Sequence, residues 1–335
     1  SGCGKSTLLN IIAGFLKPTE GEAKMIKLVG LSVGDLQRKY GDIKALEIAA
    51  NAGADSVGLD LCADINDYRN KDSLYSKGFE ATAEYYTAVK KRADELGIII
   101  EQTHGKMSGF VNKKAEDDAL VKNSEYDCFA TAILGAGVCV VHNATSIFLG
   151  PDPDSALMHR LSFDMFRRII PFAAKNKIKI ATETFGDAVR FSACDFFGNI
   201  GEFEKAYNAV AACDELKEHF TVCVDTGHSN KAMRYGNPTP ADVIRRLGKS
   251  VTVLHLNDND TLTDQHKIPQ TGCIDWNGVM DALDEIGYGG VYNMELNLRH
   301  FGDNFLIETA EFAVKVMRNM LTERYGKNAV SEKKL

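Results

Sequence analysis

Short apolar runs alternate with longer amphipathic stretches along this chain, and the alternation repeats eight times between residues 26 and 324. The apolar runs, at 26–33, 56–61, 98–103, 138–141, 178–182, 221–225, 251–255 and 291–294, are rich in Val and Ile and bounded by turn residues. Most lack strict apolar–polar alternation, which is what strands buried on both faces of a parallel sheet require. The stretches between them predict helices over 42–52, 79–96, 115–134, 155–176, 200–217, 240–247, 276–286 and 305–324, with Gly53 and Gly97 as stop signals and Pro171 as a source of a kink. Eight consecutive βα units without a composition break predict one closed α/β barrel, a (β/α)8 fold, over residues 25–327, followed by a charged tail at 328–335. No G-x-G-x-x-G follows the first strand, so an open dinucleotide-binding sheet loses its main support.

What ends the strands carries the chemistry. From the third strand to the eighth, the terminal residues are His104, His142, Glu183, Asp225 with His228, His255 and Glu295, and Asp264 and His266 follow the seventh strand. The C-terminal end of a parallel barrel is where active sites are built. Carboxylates brought this close raise each other's pKa unless a cation holds them, and a divalent metal ion resolves the conflict.

Composition narrows the partners. A hydrophobic fraction of 44% with 25% charged residues describes a globular protein with a large core, and no apolar run reaches the ~18 residues that span a bilayer. The net charge of −7, with no local concentration of basic residues, argues against a nucleic-acid backbone as partner. Eight cysteines lie scattered without a C-x-x-C pair, as expected of buried reduced thiols in a cytoplasmic protein, and no secretory leader is recognised.

Residues 1–24 stand apart. Gly2-Cys3-Gly4-Lys5-Ser6 is the second half of a phosphate-binding loop, and the run to about residue 23 resembles the Walker A segment of ABC-transporter ATPases. The loop's first glycine and preceding strand are missing, so a joined fragment is expected, with Met25 as the natural start.

The barrel itself resembles the xylose-isomerase-like TIM barrels, which include sugar and sugar-phosphate isomerases and epimerases and, more distantly, endonuclease IV. The resemblance spans about residues 26–320 and rests on Thr182-Glu183-Thr184, Asp225-Thr226-Gly227-His228, His255-Leu256-Asn257-Asp258, Asp264-Gln265-His266, Gly272-Cys273-Ile274-Asp275-Trp276 and Met294-Glu295-Leu296. It implies one divalent ion (Mn2+, Mg2+, Co2+ or Zn2+) held by Glu183, Asp225, His255 and Glu295. Glu183 and Glu295 would then transfer protons on opposite faces of a ketose through a stabilised enediolate. His104, His142, His228, Asp264 and His266 would line the substrate pocket; Lys106 and Arg299 are candidates for a phosphate or hydroxyl contact, although a solvated surface charge is the favoured reading of each. The partner it implies is a small sugar or sugar phosphate, and related barrels often form homo-oligomers.

The same resemblance supports a rival. Three-zinc endonucleases use nine ligands, and this chain matches them at His104, His142, Glu183, Asp225, His228, His255, Asp264, His266 and Glu295. Against it stand the acidic charge and His142-Asn143-Ala144 where the nuclease pattern has His-Pro-Gly. An ATP-binding remnant or non-catalytic module is a further alternative, supported by the Walker-like segment alone. Pro269-Gln270-Thr271-Gly272 departs from the Pro-Gly-x-Gly expected in the loop after His266.

Overall fold

The computed structural model describes residues 26–62, 66–107 and 109–332, so the Walker-like segment lies outside the described residues. Eight parallel strands form the barrel: β1 (Val29–Ser32), β2 (Ser56–Asp60), β3 (Ile99–His104), β4 (Val138–Val141), β5 (Lys179–Glu183), β6 (Phe220–Asp225), β7 (Val251–His255) and β8 (Tyr292–Met294). They run β8-β1-β2-β3-β4-β5-β6-β7 around the sheet. A parallel bridge between Leu256 and Met294 closes β7 on β8, with Leu256 N–H donating to Asn293 O at 2.9 Å and Glu295 N–H donating to Leu256 O at 3.2 Å. The predicted strands agree with these to within a few residues.

Two apolar cores result, as a parallel sheet covered on both faces demands. The larger lies between the sheet and its helices; Phe166 of the helix Ser155–Asn176, for example, packs on Phe220 of β6 with ring centroids 4.7 Å apart. The smaller fills one side of the barrel interior with Val140, Ala181, Cys223 and Val253. The other side is polar. There the amides of Gln102 and Asn293 both donate to the carbonyl of Leu254, at 3.3 and 3.4 Å. The thiols of Cys128 and Cys223 are buried, and burial pushes both well above the ordinary range, so neither is a nucleophile. All the described cysteines are free.

Several helices match the predicted spans closely, and Ser155–Asn176 continues through Pro171. The predicted helix at 200–217 stops earlier, at Ala211, and a 3-10 turn covers Lys217–His219. Among the described residues, elements that were not anticipated include a helix at Gly34–Tyr40, a helix at Thr226–Ala232, and an antiparallel hairpin pairing Asp187–Ala188 with Ala193–Cys194. Their sequences are short and polar and carry no periodicity. The end of the chain is less detached than a charged tail suggests. Val330 bridges Lys27, and Arg318 donates to the carbonyl of Gly53 and to Asp55, the carboxylate that also accepts from Val29 N–H.

The departure at Gln270 leaves its mark on the backbone. Gln270 adopts φ +72°, the left-handed region in which the expected glycine would be unstrained. The loop is pinned by Asp258, whose carboxylate accepts from Trp276 Nε1 at 2.8 Å and from the backbone of Asn259 and Ile274. Its path therefore survives without the glycine. Gln270→Gly relieves the left-handed strain while adding freedom to the unfolded chain, and a net gain of about 0.5–1 kcal/mol is expected. Urea denaturation of the two proteins side by side measures it, and a loss of stability would contradict the strain assignment.

Candidate active site

Every predicted site residue sits at the C-terminal end of the barrel. Glu183 and Asp225 are the last residues of β5 and β6, His104 and His255 of β3 and β7; His142 and Glu295 stand just beyond β4 and β8. Asp225 also caps the helix Thr226–Ala232, its Oδ1 accepting His228 N–H at 2.6 Å. That tight turn swings the His228 ring back over the strand ends. The helix thus explains how His228, three residues past the strand end, joins the same site.

Glu183 is the hub and has no exposure to water. Its Oε2 lies 3.2 Å from Nε2 of His104 and of His142, and its Oε1 lies 3.3 Å from His228 Nδ1 and 3.1 Å from His255 Nδ1. His255 Nδ1 is also 3.3 Å from Glu295 Oε2. Three imidazoles are oriented by backbone carbonyls: His104 Nδ1 pairs with Gly105 O at 2.9 Å, His228 Nδ1 with Thr184 O at 3.1 Å, and His266 Nδ1 with Glu295 O at 3.0 Å. With Nδ1–H donating, Nε2 is left to face the carboxylates, the orientation that backbone acceptors impose on metal-ligating histidines. Behind them, Asn257 Nδ2 donates to Asp225 Oδ2 at 2.8 Å.

One donor atom from each of Glu183, Asp225, His255 and Glu295 falls within 4.8 Å of the others, so the predicted quartet is assembled. Two atoms in it, Glu183 Oε1 and His255 Nδ1, are buried with no hydrogen-bond partner although they lie 3.1 Å apart. Buried polar atoms without partners carry a cost that a cation between them removes. Three carboxylates and one imidazole suit a divalent ion, and the oxygen-rich set favours the harder ones. The residues fit the metal. His104, Glu183 and His255 form a second such group, and Asp225, His228 and His266 a third.

The electrostatics of the metal-free state agree. Burial alone would raise the Glu183 carboxyl, but the imidazoles of His255, His142 and His104 outweigh it and hold the group well below its ordinary value. Burial keeps the Asp225 carboxyl raised, with Glu183 and Glu295 adding to it against the pull of His228 and His266. The histidines respond in kind. Burial opposes the charge on His104, yet Glu183 carries it up to about 10; His266 reaches about 10 through Asp264 and Glu295. His255 rises too, where Glu295 and Glu183 overcome burial.

A cavity of about 370 Å3 opens over this cluster. His104, His142, His228, His255, Asp264, His266 and Glu295 line it, whereas Glu183 and Asp225 lie behind that ring. Phe185 forms an apolar wall, packing on His142 and His228, and Asp35, Arg38 and Asp60 form a polar one, with Arg38 held between the two carboxylates at 2.7 and 3.3 Å. Lys106 and Arg299 are not among these lining residues. Lys106 donates to Cys62 O and lines a neighbouring cavity, and Arg299 is engaged by Asp303 and Asp35. Sequence reasoning missed Phe185, Arg38 and the supporting role of Asn257. Asn257 stands two residues after His255, but no ligand pattern signals a residue that acts through Asp225.

With the fold and the site in view, the chain belongs to the xylose isomerase-like TIM barrel family, whose model matches residues 46–320. Among curated proteins, it is 26% identical over 181 residues to the uncharacterized protein MJ1311 of Methanocaldococcus jannaschii, covering 52% of this chain and 57% of the relative. A second match, to the taurine import ATP-binding protein TauB of Ruegeria pomeroyi, is 76% identical over 25 residues, or 8% of this chain and 9% of that protein. The chain therefore spans little more than half of one relative and under a tenth of the other. Similar solved structures include a D-tagatose 3-epimerase-like protein (TM-score 0.64, 18% identity, 89% of this chain and 99% of that one). A D-psicose 3-epimerase solved in the presence of D-fructose gives a TM-score of 0.65 at 16% identity over 89% and 99% of the two chains. An IolI protein with a bound zinc atom gives 0.64 at 16% identity over 90% and 99%. Among the described residues no helix is long and apolar enough to cross a membrane.

Two outcomes follow from the geometry. A Cβ on Gly227 would fall 1.9 Å from Asn257 Oδ1, so Gly227→Ala pushes Asn257 off Asp225. Metal affinity is then expected to drop about 10- to 100-fold, as loss of outer-shell support does, and equilibrium titration of the metal measures it. His255 must shed any proton before it ligates, and its pKa is raised above 6.5, so affinity should climb as pH rises across and above that value. Calorimetry in buffers of different ionisation enthalpy should register proton release; a pH-independent affinity would contradict the assignment.

Proposed function

We propose that this protein is a divalent-metal-dependent sugar isomerase or epimerase. The observation that carries the proposal is the Glu183–Asp225–His255–Glu295 quartet, its donor atoms within 4.8 Å of one another at the floor of a cavity of about 370 Å3. That volume sits near the lower end of ligand pockets and suits a monosaccharide. A cation held by the quartet would polarise a substrate carbonyl and lower the barrier to losing a neighbouring C–H proton.

The chain's own residues do the rest. Glu295 would take the carbon-bound proton, a role supported by its side chain being 24% exposed and lining the cavity. Glu183 is the second carboxylate, and its buried Oε1 has no hydrogen-bond partner. Returned to the opposite face, the proton inverts the carbon; returned to the neighbouring carbon, it isomerises the sugar. His228 and His142 line the cavity together with the apolar ring of Phe185, a mixture suited to a polyol with CH and OH groups on alternate faces. The similarity to sugar epimerase structures supports this reading, as does the zinc atom in the IolI neighbour. A cytoplasmic setting is part of this reading, and the free thiols of the described cysteines support it.

A second reading has its own observation. All nine residues of the three-ion endonuclease pattern stand at this end of the barrel, and seven of them, all but His142 and Asp264, fall into three groups of ligand spacing. On that reading the substrate is an abasic DNA backbone.

Elemental analysis with a solvent-exchange assay separates the two. The sugar enzyme should bind about one divalent ion per chain and exchange ketose C–H protons with deuterated water, and Glu295→Gln should slow exchange by about 10²–10⁴, the usual worth of a general base. Near three zinc ions with cleavage of abasic duplex DNA would establish the nuclease instead. A folded chain that takes up no metal removes both.

A further inference from the structure

The helix Thr226–Ala232 carries a lysine that neither reading uses. Lys231 stands one turn after His228 and its side chain is 3% exposed, a rare place for a residue almost never buried unless paired. Its Nζ lies 2.7 Å from Asp187 Oδ1 and 3.4 Å from Asp264 Oδ1. Asp187 already has a cation, because Arg234 Nη2 meets its other oxygen at 2.7 Å. The charges thus run Arg234–Asp187–Lys231–Asp264, alternating in sign. Lys231 thus bridges the two carboxylates, nearer Asp187 at 2.7 Å and reaching Asp264 at 3.4 Å.

Asp264 is the carboxylate on which two imidazoles converge. His228 Nε2 and His266 Nε2 each lie 3.5 Å from its Oδ2, and both rings have Nδ1 committed to backbone carbonyls. Asp225, His228 and His266 have ligand spacing among themselves, and Asp264 stands beside the group against the two imidazoles rather than within it. Two imidazole nitrogens and one carboxylate make a plausible seat for a second divalent ion, separate from the quartet except for Asp225. Lys231 supplies the cation there instead. An ammonium fixed on the far oxygen of Asp264 satisfies the carboxylate and repels a second cation at short range in a poorly hydrated setting.

We propose that Lys231 restricts this barrel to a single divalent ion, by neutralising Asp264 and so closing the Asp225–His228–His266 group to metal. The inference rests on the proposed metal-dependent reading. It gives Lys231 a positioning and selecting role, one that decides between the one-ion and three-ion patterns the nine ligands otherwise allow.

The test is a Co2+ titration of the full chain followed by visible absorption, with bound metal counted by elemental analysis. Wild type should saturate at one ion per chain. Lys231→Met, close in length and uncharged, should bind a second ion whose affinity exceeds that in wild type by about 10- to 100-fold, the scale on which outer residues tune metal sites. Adding His266→Ala to Lys231→Met should remove that second ion and leave the first. Lys231→Gln serves if the Met variant does not fold, with thermal melting as the control. Two or three comparably tight ions in wild type overturn the role of Lys231, as does a folded Lys231 variant that stays at one. A wild-type chain that binds no ion fails in a different way, because it removes the metal-dependent reading itself.

Discussion

A carboxylate with no access to water sits at the centre of the barrel's C-terminal end, and the surrounding structure is arranged to balance it. Glu183 has four imidazole nitrogens within 3.3 Å, from the ends of β3 and β7, from just beyond β4 and from the helix after β6. Burying such a charge unpaired is prohibitively costly, so the strand ends that deliver these rings must be in register for the barrel to be stable. Fold and site are in this sense one electrostatic problem. The hydrophobic cores hold the strands together, but the choice of residues at the strand ends answers to charge.

Around the hub lies a layer that touches no substrate. Asn257 holds Asp225, Thr184 receives His228 and also takes Asp225 N–H, and Asp258 anchors the loop that leads to Trp276. Gly227 makes the Asn257 contact sterically possible. Asp225–His228 and His255–Asp258 therefore work together: the first segment supplies Asp225, and Asn257 of the second holds its carboxylate.

Much of this was legible in the sequence. Buried strands announce themselves as apolar β-branched runs, and the residues that end them are polar because they face the site, so both the barrel and the nine clustered side chains could be read from periodicity and position. The family resemblance then sorted four of the nine into a ligand set, which the geometry brings together. What escaped is equally instructive. Lys231 reads as a surface charge on a polar helix, and only the hairpin carrying Asp187 and the loop carrying Asp264 turn it inward. Arg38 is in a helix too short to show periodicity, and its place on the cavity wall depends on Asp35 and Asp60. Such partners come from distant parts of the chain, and their pairing is a property of the closed barrel rather than of any local pattern. The relative depth of Glu183 and Glu295 was likewise beyond spacing, since both follow strands of the same kind.

The seam of the cylinder has a further meaning. β7 and β8 meet through a bridge at Leu256 and Met294, with the carbonyl of Leu254 taken by side-chain amides from within. His255 and Glu295 flank that junction on either side, 3.3 Å apart. An ion gripped by both would act as a rivet across the join, so that breathing of the cylinder and escape of the ion become a single motion.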